Sequence, residues 1–331
     1  MRIIDIHAHL TPQCFWRATE GGGDWHSLRR EQDERGRQYA IVGGRKQELP
    51  PKARWNPEER LADMDTQGVD VHVVSPYTGF YNYGLDAAVA LATSKDTNNE
   101  IYEMIQTHSE RFAGLANLPM QDVPAAIAEL ERVIIRLGFK GAMINDHVNG
   151  RTLDDPAFLP FWKAAEQLKA VIVFHQGGGT VVTRRITRYH LPNGVGTLAD
   201  RFLTFASLVF GRVMDACPDL KICLAHGGGY TCFGIGRMDY GWQTRPEAHQ
   251  QLPHPPSSYL RRFYYDCIVL TEPALRYLID TVGVDRVVFG TDWPYDMGHD
   301  WPVSWILSLE SLTQSEKEAI LWKNLERLLG V

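Results

Sequence analysis

Short apolar segments rich in valine and isoleucine recur along this chain, each followed by a polar or glycine-containing turn and then by helical periodicity. Eight stand out, at residues 3–9, 69–75, 112–118, 141–145, 171–175, 221–226, 263–269 and 287–292. The near-continuous hydrophobicity of VIVF (171–174) and RVVFG (286–290) suits strands buried on both faces of a parallel sheet. Eight successive βα units predict an α/β fold, a distorted TIM (β/α)8 barrel. Such barrels span about 200 to more than 400 residues. The 331 residues are therefore read as a single domain, 1–331.

Helix starts are marked between the strands. Asn56, Pro57, Glu58 and Glu59 form a cap followed by proline and an acidic first turn, while Asp122 and the pair Asp155, Pro156 open others. Thr313 ahead of Gln314, Ser315 and Glu316 opens the last amphipathic helix, which ends at Leu328, Leu329 and Gly330. Residues 11–55 fit no regular pattern, with GGG at 21–23, a charged run from Arg29 to Arg37, and Pro50, Pro51. They are expected to form a long insertion after strand 1, over the C-terminal face of the barrel where active sites gather.

Charge and composition narrow the partners. A net charge of −6 provides no broad basic surface for a phosphate backbone, so no nucleic-acid partner is expected and the substrate should be small. The five cysteines are scattered without a C-x-x-C pair, which suits reduced packing residues in a cytoplasmic protein. The opening MRIIDIHAHL carries an acid and two imidazoles in its apolar run and reads as a strand, not a targeting segment. No segment approaches the roughly 18 apolar residues of a membrane span.

The chemistry lies at the strand ends. His7 and His9 are two residues apart, so on a strand both side chains face the same way. A lone H-x-H is also compatible with hydrogen-bonded core histidines. The pattern sharpens because His175 follows VIVF, His226 follows ICLA and Asp292 follows VVFGT, and the strand ends of a barrel converge at one face.

HAH at strand 1, FHQ at strand 5, AHGGG at strand 6 and GTDWP at strand 8 resemble the amidohydrolase superfamily. More narrowly, AHGGG followed by Gly236, Arg237, Met238 and Asp239, then GTDWPY, resembles the aminocarboxymuconate semialdehyde decarboxylase branch, which also holds hydroxybenzoate decarboxylases. The resemblance implies one divalent metal, usually zinc and in some relatives manganese, on His7, His9, His175 and Asp292, with His226 an unligated base. No organic cofactor is expected. Strand 4 ends in Asn145, Asp146 and His147 with no lysine there, which argues against a second metal bridged by a carboxylated lysine.

The same resemblance makes Arg237 a carboxylate binder reaching a neighbouring subunit, and hence a homodimer or higher homo-oligomer. It also points to an arginine of the insertion, either Arg45 or Arg54. Arg184, Arg185 and Arg188 beside Tyr189 could hold an acidic aromatic substrate or simply face solvent. Phe80, Tyr81, Tyr83 and Trp293 could build an aromatic wall or pack the barrel.

Three imidazoles and a carboxylate leave room for a water whose pKa zinc lowers to about 7. Non-oxidative decarboxylation of an unsaturated or hydroxy-aromatic carboxylic acid is the leading expectation, with Asp292 as proton donor and His226 assisting. Hydrolysis or hydration of a lactone, amide or unsaturated dicarboxylate is the alternative.

Overall fold

The computed structural model describes residues 2–50, 52, 57–250 and 252–330. Eight parallel strands follow one another around a single sheet: β1 (Ile4–Leu10), β2 (Val71–Pro76), β3 (Phe112–Ala116), β4 (Gly141–Ile144), β5 (Val171–Phe174), β6 (Lys221–Leu224), β7 (Phe263–Asp266) and β8 (Val287–Val288). The ring closes between last and first: Ile6 N donates to Phe289 O (3.1 Å), Asp292 N to His7 O (2.8 Å) and His9 N to Trp293 O (2.7 Å). The expected TIM-barrel fold is therefore the observed one.

β7 and β8 fall furthest short of their expected lengths, for identifiable reasons. β7 stops at Asp266, whose carboxylate takes the Ile268 N–H and so turns the chain out of the ladder. β8 pairs with β7 only over Val287–Val288, after which the backbone passes its hydrogen bonds to β1. β1 also carries a bulge between Asp5 and Ala8, set against His72 to Val74, which adjusts the aim of His7.

Each strand is followed by helical structure, namely α1 (Pro57–Gln67), α2 (Ala87–Thr107), α3 (Val123–Leu137), α4 (Leu159–Gln167), α5 (Leu198–Phe210), α6 (Thr231–Thr244), α7 (Glu272–Val282) and a final run through Asn324–Leu329. Asp122 caps α3 by accepting from Ala125 N, Thr313 and Glu316 form a reciprocal capping box, and Gly330 ends the last helix at φ 65°. The cap expected at Asn56 lies outside the described residues. One apolar core extends from Ile3 to Leu329 between sheet and helices.

The insertion is more ordered than its sequence suggests. It contains a short helix, Gln13–Ala18, and a three-stranded antiparallel sheet of Arg29–Gln32, Gln38–Val42 and Arg45–Glu48. Gly43 and Gly44, at φ 55° and 77°, supply the two left-handed residues of a tight hairpin. A second apolar cluster, including Phe15, Trp25 and Val42, ties this sheet to Tyr77 and Phe80 after β2. All five cysteines are free thiols, and among the described residues no helix is long and apolar enough to cross a membrane.

Candidate metal centre and active site

His7, His9, His175 and Asp292 converge from the ends of β1 and β5 and from the segment after β8. Their ligand-competent atoms lie within 4.8 Å of one another, and all four side chains are buried. What orients the imidazoles is visible on their outer edges. His7 Nδ1 stands 2.7 Å from Asp266 Oδ2, His9 Nδ1 3.1 Å from the Pro76 carbonyl, and His175 Nδ1 3.0 Å from the Gln176 carbonyl. Each Nδ1 thus faces an acceptor, leaving three Nε2 lone pairs directed at one point, the usual arrangement of metal-ligating histidines. His7 Nε2 and His9 Nε2 are 3.1 Å apart, and His175 Nε2 is buried without a hydrogen-bond partner among the described residues. This buried set fits a divalent metal.

Electrostatics agree with that fit. Burial would raise the Asp292 carboxyl, yet the imidazoles around it, His7 foremost, hold it well below the usual carboxylate range. Its Oδ1 lies 3.1 Å from both His7 Nε2 and His9 Nε2. Burial lowers His9 and His175, favouring the neutral form a ligand needs. Burial also opposes protonation of His7, but Asp292 and Asp266 on its two nitrogens push it up to about 10. Without a metal, the site holds a proton where a cation belongs.

His226 stands beside this set. Its Nε2 is 3.4 Å from Asp292 Oδ2, the oxygen turned away from His7 and His9, and its Nδ1 makes no hydrogen bond among the described residues. His226 and Asp292 both adopt left-handed backbone, at φ 55° and 64°, conformations that surrounding structure must hold in place.

A supporting layer went unnoticed in the sequence. Asp266 is one member. Asp5 is another, accepting from His7 N (2.8 Å), Thr291 N (3.1 Å) and Thr291 Oγ (2.6 Å), with its carboxyl raised by burial to about 7. The buried Arg60 of α1 donates to the His9 carbonyl at 2.9 Å and to His72 Nδ1 at 3.2 Å. Tyr295, three residues past Asp292, sets its ring edge-on to His9 with centroids 5.1 Å apart.

The proposed substrate contacts are more dispersed. Tyr81 is buried and donates from its hydroxyl to the His175 carbonyl at 3.1 Å. With Arg45, Gln47, Asn145 and Gly177 it lines a cavity of about 210 Å³, between the hairpin of the insertion and the segments after β2, β4 and β5. Trp293 turns its indole to the helix side, donating to Asp63 at 3.0 Å with the Arg60 guanidinium 4.3 Å from its ring centre. Arg188 is exposed, over the Tyr189 ring, and Arg237 is exposed on α6. Arg54 lies outside the described residues. β4 ends at Ile144; Asn145, next in the chain, accepts from Gly177 N, while Lys140 lies before the strand's other end.

Comparison with known proteins agrees with this geometry. Residues 4–331 match the family described as amidohydrolase. The chain is 33% identical to 2-amino-3-carboxymuconate-6-semialdehyde decarboxylase of Dictyostelium discoideum, over 99% of this chain and 91% of that one. The structure of 5-carboxyvanillate decarboxylase LigW from Sphingomonas paucimobilis superposes with a TM-score of 0.84 at 25% identity, covering 100% and 99% of the two chains. A dihydroxybenzoic acid decarboxylase from Polaromonas sp. JS666, solved with manganese and the inhibitor 2-nitroresorcinol, shares the fold at TM-score 0.81 and 23% identity, covering 99% and 97%. With the match running the length of the barrel, the chain belongs to the amidohydrolase family, in its aminocarboxymuconate semialdehyde decarboxylase branch.

Proposed function

We propose that this protein is a metal-dependent, non-oxidative decarboxylase of a small unsaturated or hydroxy-aromatic carboxylic acid. The observation that carries the reading is the buried trio of Nε2 atoms around Asp292, each imidazole turned by an acceptor on its Nδ1. His7, His9, His175 and Asp292 hold the metal, zinc first and manganese as the alternative, since imidazole favours one and carboxylate suits the other. When bound, the divalent ion supplies concentrated positive charge that stabilises negative charge on substrate oxygens.

The two oxygens of Asp292 divide the remaining work. Oδ1 faces the histidine cluster, while Oδ2 faces His226 Nε2. His226 therefore holds a proton at Nε2 and passes it to Asp292 Oδ2, which delivers it to the substrate carbon bearing the carboxylate. That carbon gains a C–H bond, the bond to the carboxylate breaks, and its electron pair returns to the unsaturated system as carbon dioxide leaves. Tyr81 gives the cavity an aromatic wall, Tyr295 stands edge-on to His9, and Arg45 offers a cation to a substrate carboxylate.

Arg237 fits the role of a carboxylate binder in the site of a second copy. On α6 it is accompanied by Phe233 and Tyr240, 86% and 67% exposed, an apolar face of the kind a homodimer covers. Arg188, exposed over the Tyr189 ring, and Trp293, next to Asp292 in the chain, are assigned subsidiary roles in substrate binding. Five free thiols suit a cytoplasmic setting.

The test is metal analysis of protein purified without added metal, followed by carbon dioxide release from hydroxybenzoates and aminocarboxymuconate semialdehyde, with lactones and amides alongside. Release abolished by chelation supports the reading. Lactone or amide opening without carbon dioxide overturns it.

A further inference from the structure

Asp266 is buried at the end of β7 and touches two parts of the site at once. Oδ2 lies 2.7 Å from His7 Nδ1, while Oδ1 accepts from Gly227 N at 2.9 Å and from Ile268 N at 3.2 Å. We infer that Asp266 is a positioning residue with two duties: it fixes the tautomer of His7, and it anchors the turn that presents His226. The inference rests on the metal reading above.

The first duty follows from what a carboxylate can do. It only accepts, so His7 must donate from Nδ1 and keep its Nε2 lone pair facing the ligand cluster. A neutral amide could satisfy the Gly227 and Ile268 N–H groups equally well and would be less costly to bury. Only the contact with His7 requires the charged side chain.

The second duty follows from the backbone after β6. His226 is left-handed at φ 55° and Gly227 follows at φ 61°; a Cβ on Gly227 would stand 2.3 Å from Val269 Cγ1. The turn is thus pressed against the segment following β7, and the Gly227 N–H to Asp266 bond holds it there. Asp266 thereby links β1, β6 and β7 where their functional side chains meet.

Asp266→Asn separates the duties. Its Oδ1 can retain both main-chain bonds, whereas its amide would donate to His7 Nδ1 and force the imidazole proton onto Nε2. Zinc affinity, measured by competition with a chromophoric chelator, should fall about 10- to 100-fold. At saturating zinc kcat should recover. Asp266→Ala loses the turn anchor as well, so its kcat should stay low at saturating zinc. Wild-type zinc affinity in Asp266→Asn overturns the first duty, and full kcat in zinc-saturated Asp266→Ala overturns the second. A wild-type protein that binds no zinc instead overturns the metal reading beneath both.

Discussion

The hydroxyl of Tyr81 donates to the main-chain carbonyl of His175 at 3.1 Å, joining the loop after β2 to the strand end that presents an imidazole to the cluster. Tyr81→Phe keeps the ring, which stacks on Tyr83, and removes only this buried bond. Loss of about 1 kcal/mol is expected in denaturant unfolding, with the orphaned carbonyl as the cause. Metal affinity should fall only a few-fold, because the His175 Nδ1 contact with Gln176 remains.

Removing a ligand should act far more strongly. His175→Ala takes away a buried Nε2 that makes no hydrogen bond among the described residues. Metal per chain, measured after dialysis, should drop towards zero, and affinity should fall beyond the roughly 100-fold expected for losing an outer partner. Carbon dioxide release should vanish with it. Retained stoichiometric metal would remove His175 from the ligand set.

The metal-free protein should have an unusual pH response. His7 is raised from 6.5 to about 10 in the fold, with burial opposed by Asp292 and Asp266. A group raised in this way contributes stability that is complete below pH 6.5 and disappears as pH climbs through about 10. Melting temperature of the chelated protein should therefore decline from pH 7 to 10. Metal binding must displace the His7 proton, so affinity should strengthen over the same interval. A flat melting profile for the chelated protein would show that His7 carries no such proton.

How much of this was legible depends on what each residue does. Strand ends were readable because Val/Ile runs stop at His175, His226 and Asp292, and side chains two apart on a strand share a face. Asp266 was not, since FYYD looks like any strand running into a polar end, and its contact with His7 spans 259 positions. Arg60 follows Glu58 and Glu59 in what reads as an ordinary solvated helix start, yet it is buried against Trp293 and the His9 carbonyl. In the insertion, the Gly43–Gly44 pair is a hairpin signal that reading 11–55 as irregular passes over, and RREQ and RKQE on its outer strands lack the apolar alternation that identifies strands. Their apolar support comes from Phe15, Trp25 and Phe80, which only the fold brings together.

His226 should prove dispensable for the metal and essential for turnover. Its Nε2 approaches Asp292 Oδ2, not the Oδ1 shared by His7 and His9. His226→Ala should keep wild-type metal content and lower kcat by about 10²- to 10⁴-fold, the range for losing a general acid–base group. Metal loss in this variant would instead make His226 a ligand.

Arg237 offers a test that separates a role in its own subunit from one in a partner's. It is exposed on α6, whereas His226 stands inside the barrel mouth of the same chain. If Arg237 serves the neighbouring site, Arg237→Ala should raise KM for carboxylate substrates while leaving metal content unchanged. Mixing it with His226→Ala under conditions that exchange subunits should then restore activity. In a mixed dimer one site would have both residues intact and the other neither. Random pairing should give about a quarter of wild-type activity under conditions where each variant alone is nearly inactive. Failure to recover activity in verified mixed dimers would place Arg237 outside the partner's site.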